Sequence, residues 1–395
     1  MTSEQILSEA KACYDYMLTL RRDIHAHPEL SGKEFRTQAL ILRELEAMGI
    51  EAGPCADTGV LGLLRGGKDG KTIGLRADID ALPITEDSGV DFQSQNEGVM
   101  HACGHDLHAA ALLGAAKILS AHRDELQGNV KFFFQPAEEA VGGAQRMVDE
   151  GCLENPHVDA VFGGHNNIET EAGRYALKYG QSYAASNPFT VTIHGKGCHG
   201  AYPGSGIDAV AIGCQIVTAL QTLVSRRVYA TDSVVVTVGA FHAGTAGNII
   251  CEEAHLKGII RTLGPEMRAK VTGLFRETVT GIAEAMGGSA EVRISESYPG
   301  IVNTDDMSDL VYRSMCKLVG RENAVIKRIP DMGTEDFGAF FMPDRPGCYC
   351  DFGFGDGGKE CCFPVHGPHF RVKEEGLFYA AALHTQVVFD FLSQP

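Results

Sequence analysis

Val130-Lys131-Phe132-Phe133-Phe134-Gln135-Pro136-Ala137-Glu138-Glu139 decides the fold class of this chain. A largely apolar, aromatic run ends at a proline, the pattern of a strand buried inside a sheet and closed by a breaker. A helical pattern precedes it at about residues 106 to 126, and another follows at about 144 to 150. Next comes a second short apolar run, Asp159-Ala160-Val161-Phe162-Gly163, and earlier strands are expected at about residues 60 to 64 and 73 to 76. Strands alternating with helices define an α/β fold, here a mostly parallel sheet flanked by helices. Ligands of such sheets gather beyond the carboxyl ends of the strands, where Glu138 and Glu139 stand. Neighbouring side chains point in different directions, so one carboxylate can face a metal while the other faces a water beside it.

Working outward, the strongest metal-ligand signal is His101-Ala102-Cys103-Gly104-His105-Asp106-Leu107-His108, a thiol and three imidazoles just ahead of an apolar helix. Thiolate and imidazole are the side chains that hold zinc-like ions best. His165 ends the run that begins at Asp159, and His366 lies in the Pro/Gly-bounded loop Phe363-Pro364-Val365-His366-Gly367-Pro368-His369-Phe370. All four groups fall at strand ends or in loops, which argues for one shared site.

At 395 residues the chain is long enough for two domains. Its 34 Lys plus Arg against 51 Asp plus Glu, a net charge of −17, argue against nucleic-acid or anionic-membrane partners, which select basic patches. No basic start followed by an apolar core opens the sequence, so the 12 cysteines are expected to be reduced thiols in a cytoplasmic protein. No stretch approaches the roughly 20 apolar residues expected of a membrane span. Cys348, Cys350, Cys361 and Cys362 lack the paired spacing of a structural zinc site. Gly66-Gly67-Lys68-Asp69-Gly70-Lys71-Thr72 resembles a phosphate loop but has Arg65 where the first glycine is needed, so it is expected to be a turn. Neither a G-x-S-x-G elbow nor a dinucleotide fingerprint occurs.

The character changes near residue 185. An alternating strand at 189 to 194 is followed by a helix at 207 to 226, strands at 233 to 240 and 249 to 260, a helix at 266 to 286 and a strand at 290 to 294. That order is the ferredoxin-like split βαβ. The expected organisation is therefore a catalytic domain in two parts, 1–184 and 297–395, with an inserted α+β domain at 185–296.

Six motifs in order extend this picture: Arg76-Ala77-Asp78-Ile79-Asp80-Ala81-Leu82-Pro83, Met100 to Asp106, Gln135 to Glu139, Gly195 to Pro203, Gly333-Thr334-Glu335-Asp336-Phe337 and His366 to Phe370. With them the chain resembles the metal-dependent amidohydrolase/aminoacylase/carboxypeptidase superfamily, in the branch of hippurate hydrolases, indole-acetyl-amino-acid hydrolases and N-acetyl-diaminopimelate deacetylases. The resemblance implies two divalent ions per chain, zinc or manganese first, nickel or cobalt next. Cys103 would bridge them, with His105 and His165 on one ion and Glu139 and His366 on the other. Glu138 would be the general base, His199 would polarise the scissile carbonyl, and Asn248 and Arg261 would bind substrate. Asp80 would support the metal site from behind. The implied reaction is hydrolysis of the amide bond of a small N-acyl amino acid by a metal-activated water. The inserted domain would serve as a lid and carry a homodimer contact. A dipeptidase or carboxypeptidase is the alternative, and a non-catalytic metal-binding protein the third reading. Asn166-Asn167, Cys198, Cys251 and Gly367-Pro368-His369 depart from the family's usual residues.

Overall fold

The computed structural model describes residues 1–140, 142–341, 345–358 and 362–394; Cys361 lies outside them. These residues divide into two compact units, one of Met1–Ser182, Val302–Ile329 and Asp336–Pro395, the other of Tyr183–Ile301 and Pro330–Glu335.

The first unit is built on an eight-stranded sheet. From one edge to the other its strands are Glu51–Cys55, Gly59–Arg65, Gln127–Gln135, Lys68–Asp78, Ala160–Glu171, Gly347–Gly355, Tyr175–Leu177 and Ala324–Ile326. Against the mostly parallel sheet expected, it is mixed. Gln127–Gln135, Lys68–Asp78, Ala160–Glu171 and Gly347–Gly355 run parallel in the middle, while the hairpin at one edge and the strand Tyr175–Leu177 pair antiparallel. The first edge strand, Glu-Ala-Gly-Pro-Cys, carries no strand pattern, and its Pro54 is tolerated because an edge leaves backbone donors unpaired. Of the stretch expected as a turn, only residues 66 and 67 bend between two strands; residues 68 to 72 already belong to the strand Lys68–Asp78.

Phe132, Phe133 and Phe134 are fully buried, each burial contributing about 1.5–3 kcal/mol. The apolar helices His105–Ala121 and Gly376–Leu392 pack against each other and against the middle of the sheet. Cys348 and Cys350 sit in this core. Among the described residues no potential metal-binding group includes them.

The second unit has a four-stranded antiparallel sheet in the order Val234–Ala243, Glu253–Thr262, Ala185–His194, Ser289–Ile294. Its helices are Ala209–Arg227 and Pro265–Ala285. The Asp208 carboxylate caps the first by accepting from the Val210 and Ala211 amides. That helix is long and apolar enough to cross a membrane by length and composition. Its Ile212, Ile216, Leu220 and Leu223, at helical spacing, are buried in the same core as Phe189 and Phe275.

The run at residues 249 to 260 is not one strand. Ile249–Ile250 pairs with Cys198–His199, and Glu253–Thr262 starts afresh in the main sheet. Residues 330–335, expected with the closing segment, group with the second unit, where the Ala184 amide donates to the Gly333 carbonyl.

Candidate metal centre

Four backbone devices converge in the first unit. Gly104 ends the Cys103 turn with φ 91°, and a Cβ there would lie 2.4 Å from Asn166 Oδ1, so only glycine fits before the helix that opens with His105. Beyond Gln127–Gln135, Ala137 has φ 53° and its amide donates to Glu34 Oε1 at 2.8 Å. That bend turns Glu138 and Glu139 toward the sheet end. His366 has φ 60° and is tethered by its amide to the Ala102 carbonyl at 2.8 Å. Such left-handed non-glycine residues cost about 1–3 kcal/mol each and cluster at functional sites. His165 comes from the strand Ala160–Glu171.

These elements bring five of the expected residues together. Cys103 Sγ lies 3.3 Å from His165 Nε2 and 3.3 Å from His366 Nε2. His366 Nε2 lies 3.2 Å from Glu139 Oε1, and His105 Nε2 lies 3.9 Å from the same oxygen. Two sets of donors form, Cys103 with His105 and His165, and Cys103 with Glu139 and His366, each with its ligand atoms within 4.8 Å of one another. Cys103 belongs to both. Glu138, buried, stands within the same distance of His105 and Glu139 and accepts from the Asp336 amide at 3.4 Å.

The donor chemistry fits divalent ions. His105 Nε2 and Glu139 Oε1 are buried without a hydrogen bond among the described residues, a costly state unless a cation completes it. Burial pushes the Cys103 thiol far above its usual range, with Glu139 and Glu138 adding to the effect, so a thiolate here needs a cation. Burial and the neighbouring His108 take His165 down to about 3, leaving its Nε2 lone pair free for a metal. Burial also opposes charge on His105, but Asp78 and Cys103 outweigh it and hold the pKa well above normal.

Asp80 lies behind these donors. Its Oδ1 takes His105 Nδ1 at 3.1 Å, and its Oδ2 accepts from Ser31 Oγ at 2.6 Å and the Glu139 amide at 3.0 Å. One carboxylate thus orients a residue from each donor set, the support that metal-bound imidazoles typically have.

Sequence reasoning assigned no role to Asp78, His108 or Arg76. Arg76 donates to Asp78 at 2.7 Å, to Gln135 at 2.8 Å and to Asp336 at 3.1 Å, all buried. Despite complete burial, Arg76, His105 and His108 hold the Asp78 carboxyl far below its usual range. The spacing carried a signal. Residues 76, 78 and 80 alternate as one face of an extended chain, and His108 follows His105 by one helical turn. His101, from the same motif, is buried apart from the donor sets and lowered by burial to about 4.

His199, Asn248 and Arg261 belong to the second unit. His199 and Asn248 meet at a short antiparallel pair of strands far apart in sequence, where the Gly200 amide donates to the Asn248 carbonyl at 2.8 Å. Both side chains are exposed. His199 Nδ1 accepts from the Ala201 amide at 3.1 Å, which leaves the proton on Nε2 as a donor. Arg261, on Glu253–Thr262, is half-buried, with Nη1 buried and without a hydrogen bond among the described residues.

A centre of shared soft and hard donors at the sheet end of an α/β unit defines a metallohydrolase-type site. The chain belongs to the peptidase family M20/M25/M40, whose model matches residues 74–390, and it is an amide-bond hydrolase. It is 37% identical over 393 residues to thermostable carboxypeptidase 2 of Saccharolobus solfataricus, covering 98% of each chain. It is 42% identical over 308 residues to an N-acyl-L-amino acid amidohydrolase of Geobacillus stearothermophilus, covering 78% of this chain and 83% of the relative. Among solved structures, the Bacillus subtilis YxeP protein, described as a dinuclear metal binding peptidase of the M20 family, superposes with a TM-score of 0.85 at 34% identity. The match covers 98% of this chain and 100% of that one.

Proposed function

We propose that the protein hydrolyses the amide bond of small N-acyl amino acids at two divalent ions, one held by Cys103, His105 and His165, the other by Cys103, Glu139 and His366. The observation that carries this reading is the pair of donor sets sharing one sulfur, with a further buried carboxylate beside them. Bound together, two such ions lower the pKa of a water and polarise a carbonyl. Glu138 takes the proton of the attacking water and returns it to the leaving amine, so no acyl-enzyme is required. His199, from this chain or from a partner subunit of a homodimer, donates its Nε2 proton to the carbonyl oxygen as charge develops there. Arg261, whose Nη1 has no hydrogen bond among the described residues, receives the substrate carboxylate, a pairing its planar fork favours. Asn248 adds a hydrogen bond to substrate. The thiolate and imidazoles suit zinc, while manganese, nickel and cobalt remain chemically compatible.

The test is a hydrolysis screen of N-acetyl, N-benzoyl and N-indoleacetyl amino acids with each metal added back. Amide cleavage of at least one series supports the reading. Turnover of dipeptides alone favours the carboxypeptidase reading, which the likeness to the Saccharolobus enzyme motivates.

A further inference from the structure

His108 lies beside the donor sets but has no lone pair to offer an ion. Its Nε2 accepts from the Asn166 amide at 2.9 Å. An acceptor nitrogen carries no proton, so the proton sits on Nδ1 and is donated to Asp78 Oδ1 at 2.5 Å. Asp78 is in turn gripped by Arg76 at 2.7 Å. The ring is buried at 4% exposure, and both nitrogens are engaged in directions set by the protein.

The amide that His108 holds belongs to the residue after His165. The carbonyl of that residue, Asn166, accepts from His165 Nδ1 at 2.8 Å, which leaves His165 Nε2 as the acceptor atom facing Cys103 Sγ at 3.3 Å. The His108 and His165 rings also meet edge to face, centroids 4.6 Å apart. The Asn166 peptide units are therefore pinned on one side by His108 and used on the other to fix the tautomer and tilt of His165.

We propose that His108 is a positioning residue for His165, acting through the Asn166 backbone at the end of the buried chain Arg76–Asp78–His108. It sets the geometry of one of the two metal positions and not the other. Glu139 is held through its amide by Asp80, itself fixed by Ser31, and His366 is tethered to Ala102, so the Cys103–Glu139–His366 set has supports of its own. The inference rests on the two-ion reading proposed above.

The chemistry of glutamine and asparagine separates this role from plain packing. A glutamine at position 108 places an acceptor oxygen near the Nε2 position, whereas asparagine reaches only as far as Nδ1. Both are polar and both can face Asp78. The experiment strips the full-length protein with a chelator and titrates Zn²⁺ back against a competing indicator. Thermal melting is recorded on every variant.

Wild type should take up two ions. His108→Asn should weaken one of them by about 10–100-fold, the usual cost of losing an outer partner of a metal ligand, and leave the other unchanged. His108→Gln should stay close to wild type. Should His108→Asn fail to fold, His108→Ser, which reaches neither partner and empties space, takes its place with the same expectation. Two ions at wild-type affinity in the Asn or Ser variant would overturn the proposal. So would equal weakening by Gln and Asn, because the Asn166 amide would then not be what matters. Wild type binding fewer than two ions would instead undo the dinuclear reading on which the inference stands.

Discussion

In the first unit Asp78, Asp80, His101, His105, Asp106 and His108 are all 4% exposed or less; in residues 185–296 the buried polar side chains are Ser186, Asn187 and Thr262. One unit keeps ionisable groups in low dielectric and pairs several of them with each other, as Arg76 does with Asp78 and Asp336. The other is an apolar two-layer core whose candidate chemical groups are exposed, as His199 and Asn248 are, or half-buried, as Arg261 is. The difference separates two tasks. Donors that must hold ions are fixed in advance by buried partners, which makes them costly to disturb. Groups that meet a passing substrate sit where few contacts fix them, and removing one should leave the fold and the metals alone.

The largest effects should therefore come from the first unit. Chelation should remove two divalent ions per chain and abolish turnover, with re-addition restoring it; elemental analysis of the purified protein gives the count. A fully active preparation without metal would end the comparison at its root. Glu138→Gln should keep both ions and lose about 10²–10⁴-fold in kcat, the worth of a positioned proton-transfer group. Glu139→Gln should lose metal instead. If the two variants exchanged behaviours, the base and the ligand would be exchanged with them.

Smaller effects belong to the second unit. His199→Ala should lower kcat by about 10²–10³-fold, the range for one lost oxyanion donor, with metal content and melting temperature unchanged. A fall in metal content would mean that the two tasks are not separate. Replacing the free carboxylate of an N-acyl amino acid by a carboxamide should cost about 10- to 100-fold in kcat/KM, and Arg261→Ala should erase the preference. Equal rates with wild-type protein would remove carboxylate recognition.

What could be read from the sequence follows the same division. Cys103, His105, Glu139, His165 and His366 were legible as candidates because metal donors are few residue types and stood at strand ends or in loops, but the choice of His105 over His101 and His108, and of Glu139 over Glu138, came only from the family resemblance. The ferredoxin-like order was legible because alternation and helical spacing are local patterns, and Phe189, Ile212 and Phe275 obey them. Asp78 and His108 were given no role, because spacing puts residue 78 on the face of 76 and 80 and His108 a turn after His105 but does not show the hydrogen bond, between residues 30 apart, that joins them. The edge strand Glu51–Cys55 was missed because pairing with Gly59–Arg65, not its own residues, makes it a strand. Residues 330–335 were misplaced because a few backbone contacts, not composition, assign them to the second unit.

The smallest predicted effect tests whether the first unit's buried ionisable groups carry a pH cost that the second lacks. His384 lies in the helix Gly376–Leu392, between Phe162 and Phe352 with ring centroids 5.2 Å away in each case, and its Nδ1 is buried without a hydrogen bond among the described residues. Burial, with a smaller contribution from His108, lowers its pKa from 6.5 to about 3. The folded state thus keeps this ring neutral while the unfolded chain protonates it near 6.5. Below that pH the unfolded state binds the extra proton, so stability falls as pH falls, by about 1.4 kcal/mol per unit until the folded pKa is reached. His384→Leu puts an apolar side chain of similar size against the two phenylalanines and removes this linkage. Urea unfolding of the metal-loaded protein should show the variant close to wild type at pH 7. At pH 5 it should be more stable by about 2 kcal/mol. Metal ligands also titrate on acidification, but they do so in both proteins and cancel in the difference. Identical pH dependence of the two midpoints would show that His384 is not held neutral by its surroundings.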